Sequence, residues 1–156
     1  MITIIFESHA TSLDNENKVA SGVFDVGLSP LGEKQALELG QRYQDKLPEM
    51  IFCSDLQRAI DSAELGFGGK YTIIQDERLR ECNYGDMNGQ PHTIFKSRME
   101  NFIDTPFPGG ESYKDVEKRL ASFIEFLHKN YQCKHIAIVA HQGPQLALDV
   151  LLRGRT

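Results

Sequence analysis

Two histidines each follow directly after a short apolar run. His9 comes after residues 2–8, which read Ile-Thr-Ile-Ile-Phe-Glu-Ser, and His141 comes after residues 136–140, which read Ile-Ala-Ile-Val-Ala. Such runs are typical of buried parallel strands, and open α/β sheets bind their ligands at the carboxyl ends of these strands. We therefore expect both imidazoles to lie at the ligand-binding edge of a sheet.

Two charged residues between the histidines add complementary chemistry. Arg58 stands at the start of a helical pattern, and Glu81 lies in a stretch with a loop-like composition. Phosphoryl transfer needs a nucleophile in line with phosphorus, donors for the equatorial oxygens and an acid for the leaving oxygen. A neutral His9 can attack, whereas Arg58 and His141 can donate hydrogen bonds. Glu81 is the candidate acid, because burial near a phosphate would raise its pKa.

Composition limits the class of protein. The chain has 156 residues, of which 40% are hydrophobic and 25% charged, and we expect one soluble domain. No apolar run approaches the roughly 18 residues of a membrane span. Glu7 interrupts the only apolar stretch that could resemble a secretory signal, so we expect a cytoplasmic location.

The charge and the cysteines exclude further classes. The net charge of −5 disfavours nucleic acid and anionic membranes as partners, so a phosphate substrate must depend on a local cluster of donors. Cys53, Cys82 and Cys133 form no CxxC pair, and we expect reduced thiols. We expect no metal ion and no cofactor.

Strand and helix patterns alternate along the chain, which predicts βαβ units and a mainly parallel sheet covered by helices. The predicted strands cover residues 2–6, 50–53, 71–74 and 135–140. The predicted helices run from Pro30 to Leu47 with Ser29 as N-cap and Pro48 as stop, from a capping box at 54–57 to about 65, over 93–102, from 112 to 131 and over 144–152. Residues 11–27 and 76–89 are predicted loops.

Five segments, in this order along the chain, resemble the histidine phosphatase superfamily, the phosphoglycerate-mutase-like proteins. They are Phe6–Ala10 followed by Asn15, Ser54–Ala59, Leu79–Gly85, Pro108–Ser112 and Ile138–Gly143. The resemblance implies a three-layer α/β/α sandwich, with His9 as the nucleophile that becomes phosphohistidine. It also implies that Arg58, Asn15 and His141 surround the phosphate, and that Glu81 is the proton donor and then the base for water.

The chain departs from this family at its first motif and after Thr156. The motif normally begins with an arginine that holds the phosphate, and Ser8 stands at that position. A hydroxyl donates one hydrogen bond without charge, and loss of a preorganised donor costs roughly a 10²- to 10³-fold rate. Arg80 is the nearest replacement in sequence. The family usually continues with another strand and helix, so the domain at 1–156 is either shortened or has an open sheet edge.

These observations lead to one principal hypothesis and two alternatives. The principal one is a phosphomonoester hydrolase, because the segment from Gly89 to Glu111 is shorter than the one with which mutases of this family enclose a bisphosphate. Its substrate would be a phosphorylated small molecule or a phosphoprotein. Ser8 motivates the second hypothesis, a weakened member that binds a phosphorylated ligand or a protein partner. A metal site of His9, His141 and Glu81 is the third, although no short pair such as H-x-x-x-H supports it. The oligomeric state stays open.

Overall fold

The computed structural model describes residues 1–45, 48–132 and 134–154. The strands are β1 (Thr3–Ser8), β2 (Val19–Ala20), β3 (Met50–Cys53), β4 (Ile73–Gln75), β5 (Gln90–Pro91) and β6 (His135–Ala140). The α-helices are α1 (Leu13–Glu16), α2 (Pro30–Arg42), α3 (Gln57–Phe67), α4 (His92–Lys96), α5 (Tyr113–Asn130) and α6 (Gln142–Arg153). Short 3-10 helices cover Glu77–Leu79, Gly85–Met87 and Met99–Phe102.

The predicted parallel sheet and its helical layers are confirmed. The strands of the main sheet lie in the order β1–β6–β3–β4, and all neighbours are parallel. Successive residues of a strand point to opposite faces. Phe52 and Ile138 pack with the buried faces of α5 and α6, whereas Ile51 and Val139 pack with α2 and α3. The sheet therefore lies between two helical layers.

The register of β1 and β6 brings the two histidines together. Ser8 pairs with Ala140, and the backbone N–H of His9 donates to the Ala140 carbonyl at 2.9 Å. The residues that follow these partners are His9 and His141. Both leave the sheet at the same edge, as the two apolar runs predict.

Two predicted helix ends are wrong. The helix that starts at Pro30, with Ser29 as its N-cap as predicted, ends at Arg42 instead of continuing to Leu47, which lies outside the described residues. The next residue, Tyr43, packs its ring against Phe67 and donates its hydroxyl hydrogen to Glu7. These long-range contacts of Tyr43 favour the end of the helix over a further helical turn.

The predicted capping box at the start of α3 is also wrong. Leu56 is the N-cap and makes no side-chain capping bond. Ser54 Oγ instead accepts from the Leu56 N–H at 3.2 Å, and Asp25 Oδ1 accepts from the Gln57 N–H at 2.7 Å. A carboxylate from a distant loop thus satisfies the helix end that the local sequence was expected to satisfy.

The remaining differences affect short elements. The third strand begins at Ile73 instead of Tyr71, and the helix predicted over 93–102 is divided into α4 and a 3-10 turn. The predicted loops contain α1, β2 and two 3-10 helices. The antiparallel pair of β2 and β5 lies outside the main sheet. Within the described ranges, no helix combines the length and apolar character that crossing a membrane requires.

Candidate active site

A cavity of about 260 Å³ lies at the carboxyl ends of β1 and β6. Five of the six predicted site residues line it: Ser8, His9, Asn15, Arg58 and Glu81. The rest of its wall is formed by Val19, Ala20, Ser21, Gly22, Tyr84, His92, Phe95 and Gln142. The sixth predicted residue, His141, lies beside His9, with 5.1 Å between the ring centroids.

Hydrogen bonds define the tautomer of His9. The ring atom Nδ1 lies 2.7 Å from the Ala10 carbonyl oxygen, and Arg58 Nε lies 3.3 Å from Nε2. A guanidinium only donates hydrogen bonds, so Nε2 is the acceptor and Nδ1 carries the proton that Ala10 accepts. His9 Nε2 therefore carries the lone pair of the ring, and this lone pair faces Arg58.

The surroundings also keep the His9 ring neutral. Burial and, to a lesser extent, the positive charge of Arg58 lower the pKa of His9 to about 4, although the hydrogen bond to Ala10 opposes both effects. The two lowering effects arise because a positive charge on the ring is costly in a buried place and costly beside another positive charge. At neutral pH the His9 ring is therefore the neutral imidazole, with one proton on Nδ1.

The segment after His9 is tied to α3. The Ala10 N–H donates to Ser62 Oγ at 2.8 Å, and this hydroxyl donates to the Arg58 carbonyl at 2.7 Å. Ser62 is fully buried. The strand end that carries His9 and the helix that carries Arg58 are thereby held at a fixed separation.

Arg58 is a buried cation that organises the cavity wall. Its exposure is 2%, and its terminal nitrogens donate to the carbonyl oxygens of Gly22 at 2.7 Å and Phe24 at 2.9 Å. With the bond to His9, three of the five N–H donors of the guanidinium are in use, which leaves two for an anion. Arg58 therefore holds the loop that covers the site and still presents donors to a ligand.

The Glu81 carboxyl is buried and held by one of its oxygens. Oε1 accepts from the backbone N–H groups of Cys82 at 2.8 Å and Gly143 at 2.9 Å. No described residue donates a hydrogen bond to Oε2. Burial raises the pKa of Glu81, whereas the two N–H donors and the charges of Arg58 and Arg119 oppose that rise. A raised pKa favours a protonated acid at the cavity wall.

Gly143 is needed for this arrangement. A Cβ atom at this position would lie 2.3 Å from Glu81 Oε1. The carboxylate can therefore approach the first turn of α6 only because residue 143 has no side chain. Free N–H groups at a helix N-terminus are good partners for such an oxygen.

His141 is fully buried, and neither of its ring nitrogens has a hydrogen-bond partner among the described residues. Unpaired buried polar atoms are costly and require an explanation. Burial lowers the pKa of His141 well below its usual value, and the charge of Arg58 lowers it further. The neutral His141 ring can therefore donate one hydrogen bond and accept one at a position beside His9.

Asn15 and Ser8 contribute neutral donors at the edge of the cavity. Asn15 Oδ1 accepts from the Ser12 N–H at 2.9 Å in the capping box of α1, so its amide nitrogen is the group that remains to donate. Ser8 is exposed, and its hydroxyl makes only a long contact of 3.4 Å with Gln145 Oε1. Ser8 therefore adds no charge to the site.

Arg80 and Glu7, two charged residues close to the site in sequence, bind partners outside the cavity wall. Arg80 donates to both Asp55 carboxylate oxygens, at 2.7 and 2.6 Å, and is not part of the cavity wall. Glu7 accepts from Tyr43 and lies 3.8 Å from Arg42. Arg80 therefore does not replace the arginine, and Glu7 faces away from the cavity.

Three residues of the site were not predicted from the sequence. His92 and Tyr84 line the cavity, and Gly143 binds Glu81. The predicted helix start near residue 144 could have indicated Gly143, because helix N-termini offer free N–H groups. Nothing in the local sequence pattern marks His92.

No cluster that could hold a metal ion occurs among the residues that the structure describes. His9, Glu81 and His141 do not form such a group. Cys53 and Cys82 are buried free thiols, and Cys133 lies outside the described residues.

Comparisons of sequence agree with the geometry of the cavity. Residues 4–154 match the sequence model of the histidine phosphatase superfamily, branch 1. A protein of Hydrogenobacter thermophilus with the provisional name phosphoserine phosphatase 2 is 34% identical over 155 residues, covering 94% of this chain and 76% of that protein. Phosphoserine phosphatase 1 of the same organism is 28% identical over 163 residues, covering 99% and 77%.

Solved structures have the same fold. A mycobacterial glucosyl-3-phosphoglycerate phosphatase in complex with VO3 is similar with a TM-score of 0.85 and 29% identity, covering 97% of this chain and 81% of that one. The protein YhfR of Bacillus stearothermophilus is similar with a TM-score of 0.87 and 25% identity, covering 100% and 82%.

We expect Arg58 to dominate the binding of oxyanions in this cavity. Arg58→Lys keeps the charge but removes the fork, and a lost charge-assisted hydrogen bond costs about 1.5–3 kcal/mol. Affinity for inorganic phosphate or tungstate should fall roughly 10- to 100-fold in a calorimetric titration. Arg80→Lys is the control and should bind like the wild type. Equal losses in both variants would show that the anion does not bind at Arg58.

Proposed function

The chain belongs to the histidine phosphatase superfamily, and from this premise we propose that it is a phosphomonoester hydrolase that forms a phosphohistidine on His9. The main support is the tautomer of His9: Nδ1 is bound to the Ala10 carbonyl, and the Nε2 lone pair lies beside a guanidinium. A neutral imidazole nitrogen next to an anion-binding cation is the arrangement that attack on a phosphate ester requires.

In the first step, His9 Nε2 attacks phosphorus and the bond from phosphorus to the ester oxygen breaks. Glu81 transfers its proton to that oxygen, so the alcohol leaves in its neutral form. The two free N–H donors of Arg58 and the amide of Asn15 bind the equatorial oxygens. Because Glu81 Oε1 is occupied by two backbone N–H groups, the transferable proton resides on Oε2.

In the second step, water attacks the phosphohistidine. The Glu81 carboxylate accepts a proton from this water as the new oxygen–phosphorus bond forms. The bond between phosphorus and His9 Nε2 breaks, phosphate leaves, and both groups return to their starting states. One carboxyl group thus serves as acid and then as base.

The cavity and the relatives support a proposal for the class of substrate. Arg58 is the one lysine or arginine in the wall that the described residues form, which fits one phosphate group better than a bisphosphate. The relatives named above include phosphatases of phosphoserine and of glucosyl-3-phosphoglycerate. We propose a phosphorylated small molecule or a phosphoprotein as substrate.

We predict that His9→Ala abolishes phosphatase activity. Turnover of p-nitrophenyl phosphate should fall by about 10³-fold or more, because removal of a nucleophile leaves only the residual effect of binding. Rapid quenching with a labelled substrate should trap an acid-labile phosphoenzyme in the wild type but not in the variant. The exposed His128 provides the control, and His128→Ala should keep full activity. Equal turnover in wild type and His9→Ala would remove His9 from the mechanism.

We predict a pH profile with two limbs. The pKa of His9, lowered to about 4, means that activity falls only as the pH drops through about 4 and the nucleophile becomes protonated. The raised pKa of Glu81 keeps the acid protonated to higher pH, and activity falls as the pH rises through it. Glu81→Gln should remove the basic limb, so the ratio of wild-type to variant kcat/KM should decrease at high pH. A ratio independent of pH contradicts this assignment.

Ser8 supports a second candidate function, a weakened family member that binds a phosphorylated ligand or a protein partner. An exposed hydroxyl replaces a cation at the edge of the cavity. The site would then bind phosphate through Arg58 and the neutral donors, with little turnover.

Ser8→Arg distinguishes the two candidates. If the protein is a phosphatase, the added guanidinium should raise kcat/KM for p-nitrophenyl phosphate, by up to roughly 10²-fold. Ser8→Gln adds similar length without charge and should not raise it. If activity stays at background in Ser8→Arg while phosphate still binds, the binding function is favoured over catalysis.

A further inference from the structure

The loop that carries Glu81 lies outside the main sheet. It runs between the 3-10 helices Glu77–Leu79 and Gly85–Met87, so no strand partner fixes its backbone. A general acid must nevertheless stay within hydrogen-bond reach of the leaving oxygen. Other contacts must therefore hold this loop in place.

Arg119 of α5 makes these contacts from beneath the loop. One terminal nitrogen donates to the Arg78 carbonyl at 2.6 Å, and the other donates to the Glu81 carbonyl at 3.0 Å. Arg119 thus binds the backbone of the acid itself and a residue three positions earlier. The side chain of Arg119 is 19% exposed, so water screens these bonds only weakly.

Glu111, two residues before the start of α5, also takes part in this arrangement. Its carboxylate accepts from Arg119 at 2.9 and 3.1 Å, and Oε2 also accepts from the Asn83 N–H at 2.9 Å. The Glu111 N–H donates to the Asn83 carbonyl at 2.8 Å. The ion pair of Arg119 and Glu111 therefore holds residues 81 and 83, on both sides of Cys82.

The position of Cys82 connects this ion pair to the reactive carboxyl. The Cys82 N–H is one of the two donors to Glu81 Oε1, and the Gly143 N–H is the other. Rotation of the peptide at residue 82 would break one of them and turn Oε2 away from the cavity. Neither Arg119 nor Glu111 lines the cavity, so neither side chain touches a ligand there, and their hydrogen bonds act on the loop that carries Glu81.

We infer that the Arg119–Glu111 ion pair is a positioning pair for Glu81, which sets proton transfer to the leaving oxygen without contact to the phosphate. The inference rests on the proposed phosphatase function. It predicts a particular kind of defect: loss of the pair should slow esters whose leaving oxygen needs a proton, and should spare esters whose leaving group departs as an anion.

Two aryl esters of similar shape test this inference. Phenyl phosphate has a basic leaving oxygen, whereas 2,4-dinitrophenyl phosphate has a weakly basic one. Arg119→Lys keeps the charge but cannot bind two carbonyls and a carboxylate together. We expect its kcat/KM to fall roughly 10-fold or more for phenyl phosphate and less than about 3-fold for the dinitrophenyl ester, in the same direction as Glu81→Gln.

The double variant separates positioning from a general structural role. In the Glu81→Gln background, Arg119→Lys should cause no further loss with phenyl phosphate, because the acid through which it acts is absent. Arg78→Lys is the matched control. The Arg78 side chain binds Asp76 and stacks on Phe126 of α5. Its replacement should not change the ratio between the two esters.

The outcomes are distinguishable. Equal losses of Arg119→Lys on both esters, or an additional loss in the Glu81→Gln background, would overturn the positioning role. A wild type that hydrolyses neither ester would instead contradict the proposed function. Thermal unfolding checks each variant, and Glu111→Gln is the second route if Arg119→Lys does not fold. It should give the same dependence on the leaving group, and an unchanged ester ratio in that variant would equally overturn the inference.

Discussion

Burial of the ionisable side chains around one small cavity governs their protonation. Burial disfavours the charged form of an ionisable side chain, so it lowers the pKa of a histidine and raises that of a carboxylic acid. His9 is therefore a free base, and Glu81 tends to keep its proton. Burial thus favours both protonation states that the proposed mechanism requires, a neutral His9 and a protonated Glu81.

This burial is linked to the loop that contains Gly22 and Phe24. Arg58 is central, because its guanidinium binds the carbonyls of Gly22 and Phe24 while its Nε–H faces His9. A buried cation without a carboxylate partner is costly unless other groups satisfy its donors. The loop carbonyls meet that need, so the closure of the cavity and the burial of its charge depend on each other.

The parts of the structure that depend on local sequence were predictable, and those that depend on distant contacts were not. The bounds of β3 and β6 and the Ser29 cap follow from short patterns, and the shared edge of the two histidines follows from parallel strand ends. The cap of α3 could not be predicted, because Asp25 supplies it from another loop. The same holds for His92, which enters the cavity wall only through the pairing of β2 with β5.

With Ser8 neutral and Arg58 the one lysine or arginine in the wall that the described residues form, the protonation of the histidines bears on how the cavity could hold an anion. In the unliganded site, the charge of Arg58 lowers the pKa of both histidines. A phosphate anion beside these rings acts in the opposite direction, because a negative charge favours the protonated form of each group. The ring nitrogens of His141 have no partner within the described residues. Beside the anion, His141 would donate a hydrogen bond to it and its pKa would be higher. On His141 this protonation would strengthen a donor to the anion, whereas on His9 it would oppose the proposed attack, so the low starting pKa of His9, about 4, matters for the proposed chemistry.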